Sequence, residues 1–279
     1  MQNQIKLLLG IAVILGATAL FFVFSRGTYE DAVDCVLSDV RWDYNDIHWS
    51  ADGETVVIFA FGRTPQTIIP QTVVIPVDGG DVVRLDTVDI QATQADYDLI
   101  LNPRRGWNAE QTQYAFGEQV DGSRQIFVTD TSGEDVRQLT TSTFDVGKPA
   151  WSPDGTMIAY VANRSQANAT GDTDSTWEIA VIDADGTNAQ ALLVVEREPE
   201  IRWTPDSTSI LFTAEGDTYQ LDVASGESTF FLDGRFPTWS PEGERMVYLS
   251  SDGCDPTVQL ADAEGNDAQT LTVLTQSSR

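Results

Sequence analysis

The sequence predicts an all-β protein of the β-propeller type, a ring of repeated four-stranded sheets, and three observations predict it. A tryptophan running into a tight polar turn recurs five times: Trp49-Ser-Ala-Asp-Gly53, Trp107-Asn-Ala-Glu-Gln111, Trp151-Ser-Pro-Asp-Gly155, Trp203-Thr-Pro-Asp-Ser207 and Trp239-Ser-Pro-Glu-Gly243. The tryptophans are 58, 44, 52 and 36 residues apart, which are periods of units that bury their faces only by stacking on neighbours. Short β-forming runs bounded by turn residues follow each tryptophan. Five repeats predict a five-bladed propeller. A sixth blade would have to come from residues 28–45, which are too few for four strands and their turns.

The chain starts differently. Its first 29 residues hold no Asp or Glu, and Leu7 to Phe24 is an uncharged apolar run of 18 residues. As a helix rising about 1.5 Å per residue it would span roughly 27 Å, close to a bilayer's hydrocarbon thickness. Residues 1–27 therefore read as a transmembrane signal anchor, flanked by Lys6 and Arg26. The alternative is a cleaved secretory signal ending near Ala17-Thr18-Ala19, although the run continues through Phe21, Phe22, Val23 and Phe24. Both readings place the rest of the chain outside the cytoplasm.

Residues 28–45 read as a segment that closes the ring, with Val33 to Val40 as a strand and Trp42 as an extra anchor. Residues 46–279 form the propeller. In the first repeat Thr55 to Phe61 is a good strand, while Gln71 to Val77 and Val82 to Ile90 are longer and set further apart. Pro70 and Pro76 push parts of that stretch toward a sheet edge. The second repeat offers Gln113 to Phe116, Gln125 to Thr129 and Val136 to Thr140. The third is clearest: Lys148 to Trp151, Met157 to Val161, Trp177 to Ile182 and Ala189 to Val194 are joined by Ser-Pro-Asp-Gly and Asp183-Ala-Asp-Gly186 turns. In the fourth, Ser209 to Thr213, Thr218 to Val223 and Ser228 to Leu232 follow Trp203. In the fifth, Arg245 to Leu249, Thr257 to Ala261 and Ala268 to Val273 follow Trp239. The tryptophans are read as core residues wedged between blades.

The Trp-Ser-Pro-Asp-Gly turn, the apolar strand ending in Tyr, the Asp-x-x-Gly turn and the Leu-Thr ending resemble the TolB-like (WD40-like) propeller repeat. Gln125-Ile-Phe-Val-Thr-Asp-Thr-Ser-Gly133 through Gln138-Leu-Thr140 carries the likeness closely, and it extends over about residues 46–273. The resemblance implies a ring of blades. It leaves the activity open, because that family includes periplasmic partner-binding proteins and the non-catalytic propellers of serine peptidases.

Catalytic signatures are sparse. The single histidine, His48, precedes Trp49, and no Gly-x-Ser-x-Gly elbow presents a serine nucleophile. No catalytic residue is assigned, and the chain is expected not to be an enzyme. One histidine and two separated cysteines do not make a Cys/His zinc site. Cys35 and Cys254 lie near the first and last repeats, which are neighbours in a closed ring. A disulfide between them would contribute about 2–4 kcal/mol, and two unrelated thiols are the alternative. No cofactor is expected. A structural calcium stays open at Asp172-Thr-Asp174, Asp183-Ala-Asp185 and Asp262-Ala-Glu264, although none completes an oxygen-ligand loop. Turn-forming aspartates explain the same pattern.

All 43 acidic residues follow residue 29, against 16 basic residues in the whole chain, for a net charge of −27. Such a surface repels nucleic-acid phosphates, and none is expected as a partner. The charges also sort by rim. Acids such as Asp52, Asp154, Asp183, Asp206, Asp222 and Asp262 fall on the rim of the signature turns. Arg63, Arg104, Arg105, Arg124, Lys148, Arg164, Arg197, Arg202 and Arg235 fall on the other. Arg104, Arg105, Lys148, Arg202 and Arg235 lie within four residues before a repeat tryptophan, where they would ring the mouth of a central channel. Two readings follow: a funnel that binds an anionic group or peptide carboxylate, or cations paired with Asp145, Glu196, Glu198, Glu200 and Asp233. The expected function is a membrane-tethered extracytoplasmic platform for a protein or peptide partner. The alternatives are a mouth-carboxylate enzyme, such as a glycan hydrolase or lyase, and a purely structural envelope module.

Overall fold

The computed structural model describes residues 41–50, 52–63, 68–86, 106–167, 173–174, 176–250 and 256–274. These residues form strands and turns with no helix. No helix among them is long and apolar enough to cross a membrane. The anchor expected at residues 1–27 lies outside the described residues, as do Cys35 and Cys254.

The first sheet has the order β1 (Arg41–Trp49), β2 (Thr55–Arg63), β3 (Ile68–Pro76) and β4 (Val83–Asp86). The second contains β5 (Gln113–Val120), β6 (Ser123–Asp130) and β7 (Val136–Gln138). Trp107 adds to it through an isolated antiparallel bridge to Tyr114. The third runs β8 (Asp145–Trp151), β9 (Met157–Asn163), β12 (Trp177–Asp183) and β13 (Gln190–Val195) from inside to outside. Between β9 and β12 lies a small hairpin of β10 (Gln166–Ala167) and β11 (Thr173–Asp174). The fourth sheet is β14 (Ile201–Trp203), β15 (Ser209–Ala214), β16 (Asp217–Asp222) and β17 (Ser228–Leu232). The fifth is β18 (Arg235–Trp239), β19 (Arg245–Ser250), β20 (Thr257–Asp262) and β21 (Gln269–Val273).

Three local findings refine the expected elements. Strand β1 begins at Arg41, inside the stretch read as a separate segment before the propeller. Pro70 and Pro76 lie on β3, which pairs with β2 along its length but with β4 only from Gln71 to Val74. Both prolines thus sit where β3 is itself an edge and needs no ladder donor on that side. Strands β5 and β6 are longer than their apolar cores suggest, because Asp121 and Gly122, with φ of 51° and 93°, make a two-residue turn that carries the ladder to Val120 and Ser123.

The repeat signature is a hydrogen-bonded turn. Ser152 Oγ donates to Asp154 Oδ1 at 2.6 Å and accepts from Met157 N at 2.9 Å. Ser50, Asp52 and Thr55 repeat the arrangement, as do Thr204, Asp206 and Ser209. Gly155 closes the turn at φ 72°, a conformation that disfavours a side chain. At the equivalent place Ser207 accepts φ 62°, and its Oγ receives Asp154 N from the neighbouring turn at 3.1 Å. A departure from the repeat therefore links two adjacent sheets.

Buried apolar side chains fill the seams between sheets. Ile47, Trp49, Val56 and Ile58 of the first sheet share a core with Phe236, Val247, Leu249 and Val258 of the fifth. Ala115, Ile126 and Val128 of the second meet Trp151, Ile158 and Tyr160 of the third. Val161, Ile179 and Val181 of the third meet Trp203, Ile210 and Phe212 of the fourth. Leu232 and Phe231 pack with Met246, Tyr248 and Trp239. Fully burying one such aliphatic side chain contributes about 1.5–3 kcal/mol. The sheets thus follow one another second, third, fourth, fifth, first, so the first and last in the chain are spatial neighbours.

A polar relay runs through the same seams. Trp203 Nε1 donates to Ala150 O at 2.9 Å, Trp151 Nε1 to Gly106 O at 3.1 Å and Trp49 Nε1 to Thr238 O at 2.9 Å. Each acceptor is the residue just before the preceding repeat's tryptophan, with the fifth sheet preceding the first. Trp239 departs from this and donates to Ala263 O of its own sheet at 2.9 Å. At the junction of last and first sheets, the Arg245 guanidinium lies 5.0 Å from the Trp49 ring and donates to Gly53 O at 3.3 Å and Glu242 Oε1 at 2.9 Å.

Candidate functional site

The inner strands run toward the signature turns, so the residues preceding each tryptophan gather at the opposite end. Position three before the tryptophan is Asp46, Arg104, Lys148, Glu200 and Phe236 in successive repeats. Two of these residues occupy bulges. Lys148 has φ 53° and Phe236 φ 58°, each precedes a proline, and the register of each strand shifts there, between Gly147 and Ala150 and between Arg235 and Thr238. A bulge turns a side chain out of the regular alternation and re-aims it.

The re-aimed Lys148 reaches the next sheet. Its Nζ lies 2.6 Å from Glu200 Oε1 and 3.1 Å from Glu198 Oε1. All three side chains are partly exposed, so such a pair contributes about 0–1 kcal/mol. Glu200, Arg202, Leu211, Thr213, Thr218, Phe236 and Pro237 line a small cavity. Arg202 Nη1 donates to Thr238 Oγ1 at 2.5 Å, and Thr238 Oγ1 donates to Ile47 O at 3.0 Å. One chain of contacts thus joins the inner strands of the third, fourth, fifth and first sheets. The Arg235 guanidinium lies 5.5 Å from the ring of Phe236 beside it.

Lys148 and Arg202 are therefore brought to one place, with Arg235 on the adjoining strand, whereas Arg104 and Arg105 lie outside the described residues. Of the acids weighed as local partners, Glu198 and Glu200 engage Lys148, and Asp145 Oδ1 accepts from the backbone N of Arg124 at 2.6 Å. Arg164 pairs with Glu178 and stacks on Phe144 at 4.9 Å. Sequence reasoning missed Thr238 and Phe236. Aligning the repeats on their tryptophans would have placed both beside the cations.

At the other end the acids are committed to turns. Hydrogen bonds from Ser50, Ser152 and Thr204 hold the carboxyls of Asp52, Asp154 and Asp206 below the usual aspartate range. Asp183 Oδ2 accepts from Asn188 Nδ2 at 2.7 Å, Asp185 Oδ1 from Thr187 N at 2.8 Å, and Asp262 Oδ1 from Asn266 N at 2.6 Å. The turns considered for calcium thus use these oxygens locally, and Asp172 lies outside the described residues. No group of three or more metal-ligating side chains occurs among the described residues. His48 sits on β1, edge-on to Phe59 at 6.1 Å.

No family model matches the chain. A solved structure of a putative TolB from Agrobacterium tumefaciens superposes with a TM-score of 0.50 at 22% identity, over 83% of this chain and 81% of that one. The likeness shows the fold, and the TolB-like propeller expected from the repeat is the one observed. An acylaminoacyl peptidase from Pyrococcus horikoshii superposes at 11% identity with a TM-score of 0.47, over 82% of this chain and 39% of its own. In sequence, the chain is 32% identical over 124 residues to a Bacillus subtilis protein named "Uncharacterized peptidase YuxL", a match over 40% of this chain and 18% of the relative's length. That relative corrects the expectation that the chain is not an enzyme. The expectation came from the missing triad, and a repeat segment without a triad is no measure of the activity of the proteins that carry it.

Proposed function

We propose that the chain is a five-bladed propeller closed into a ring, tethered at a membrane by its N-terminal apolar segment, with the propeller outside the cytoplasm. Its mouth, ringed by Arg104, Arg105, Lys148, Arg202 and Arg235, engages a protein or peptide partner through an anionic group of that partner. The observation that carries this reading is the run of contacts across adjacent inner strands, Lys148 with Glu200 and Arg202 with Thr238, beside a small cavity lined by Glu200, Arg202 and Phe236. Glu198 and Glu200 hold Lys148 in place and can be exchanged for a partner carboxylate at small cost, because the pair is half solvated. The test is affinity capture from native membranes with the wild-type chain and with Lys148→Glu/Arg202→Glu. Loss of a partner in the double variant is expected. Unchanged capture would overturn the mouth as the binding site.

The peptidase name of the Bacillus relative favours a second reading, in which the same mouth handles peptides for a peptidase activity. Incubation of the full chain with a peptide panel separates the two. Turnover lost with the double variant supports the second reading, and capture without turnover supports the first.

A further inference from the structure

Among the described residues, the large apolar side chains that remain exposed lie at the perimeter. Val83, Val136, Val194, Phe230 and Val273 sit on the outer strands β4, β7, β13, β17 and β21, and Val82 immediately precedes β4. Phe230 is the largest of them and is 58% exposed. It ends an aromatic ladder across the fourth sheet, with Phe212 stacked on Tyr219 at 5.6 Å and Tyr219 edge-on to Phe230 at 5.9 Å. Tyr219 packs on the core shared with the third sheet, as do Leu193 and Val195 of β13.

Outer strands leave one row of backbone donors and acceptors open, and proteins usually guard them with charge or proline. Strand β4 carries Arg84, which donates to Gln71 Oε1 at 2.9 Å. Strand β7 carries Arg137, which donates to Asp185 O at 2.5 Å and Ala184 O at 2.9 Å. Strands β13, β17 and β21 have neither charge nor proline, and of the three only β17, Ser-Thr-Phe-Phe-Leu, carries an exposed aromatic. Exposed acids stand at both its ends, Glu227 before it and Asp233 after it.

We propose that β17 is a docking edge for an extended, positively charged segment of a partner polypeptide, which adds as a fifth strand over Phe230. The backbone edge supplies the pairing, Phe230 the apolar anchor, and Glu227 and Asp233 the choice of charge. A second copy of this chain does not fit, because it would bring a net charge of −27 against an equal one. The surface is separate from the mouth and does not depend on it.

The probe is a synthetic peptide of about nine residues, long enough for one strand, alternating valine and threonine with lysines at both ends. Its control carries glutamates in place of the lysines. Binding to the full chain at physiological salt is read by fluorescence anisotropy, and its position by amide hydrogen exchange. The lysine peptide is expected to bind and to slow exchange in Ser228–Phe230. Phe230→Thr and Phe230→Lys should each weaken it by about tenfold or more, while Lys148→Glu/Arg202→Glu leaves it unchanged. Failure of the lysine peptide to bind, equal binding of the glutamate peptide, protection elsewhere than β17, or self-association of the chain through β17 would each overturn the proposal.

Discussion

The two ends of the inner strands obey different rules. At the signature-turn end, a left-handed residue closes the turn in all five repeats, and a side-chain oxygen after the tryptophan accepts from a backbone N–H four or five residues on: a hydroxyl that also meets an aspartate in the first, third and fourth, the Ser240 hydroxyl in the fifth and Asn108 Oδ1 in the second. At the opposite end, the equivalent positions among the described residues hold an aspartate, a lysine, a glutamate and a phenylalanine. Two of them sit on bulges, and contacts cross from sheet to sheet. Uniformity marks the end that the fold requires. Variety marks the end that the fold leaves free to differ.

Substitutions can break that contrast. The largest effect belongs to the repeat-encoded side. Trp203→Ala removes a buried wedge and should lower unfolding free energy by about 3–5 kcal/mol in urea titration, whereas Trp203→Phe, which loses mainly the indole donor to Ala150 O, should cost about 1 kcal/mol. Next, Ser152→Ala leaves Met157 N without its side-chain acceptor in a fully buried position and should cost about 1–3 kcal/mol without altering partner capture. At the other end, Lys148→Ala should change stability by no more than about 1 kcal/mol, yet alter capture. A stability loss at Lys148 as large as at Ser152 would erase the distinction.

The smallest effect is the acid response of the turns. The carboxyls of Asp52, Asp154 and Asp206 titrate lower in the folded chain than in the unfolded one. Their contribution is full above the unfolded value of about 3.9 and is lost as pH falls through the lower folded value. Asp154→Asn and Asp206→Asn should therefore flatten the decline in stability measured by urea titration in acid.

The turn end was legible in the sequence because its chemistry is local. Ser152, Asp154 and Gly155 act within one turn, so their order alone specifies them. The opposite end was legible only as a set of cations near the tryptophans. Its partners are set by strand register between sheets, and the bulges at Lys148 and Phe236 shift that register in ways no local pattern announces. The Asp121-Gly122 hairpin carried a readable signal, but the apolar run ends at Phe116 and hid the length of the ladder. The indole relay lay between these cases: the tryptophans were evident as wedges, and their acceptors emerged only from the packing.

The meeting of the first and last sheets also carries a timing consequence. Trp49 finds its acceptor in Thr238, 189 residues further along, and contacts at such separation are slow to form. During synthesis the leading sheet must wait, one face bare, until Thr238 and the strand that carries it have appeared. A holding factor on that face would shield the nascent chain from aggregation, and a circular permutant opened at a different seam would move the waiting period to another sheet.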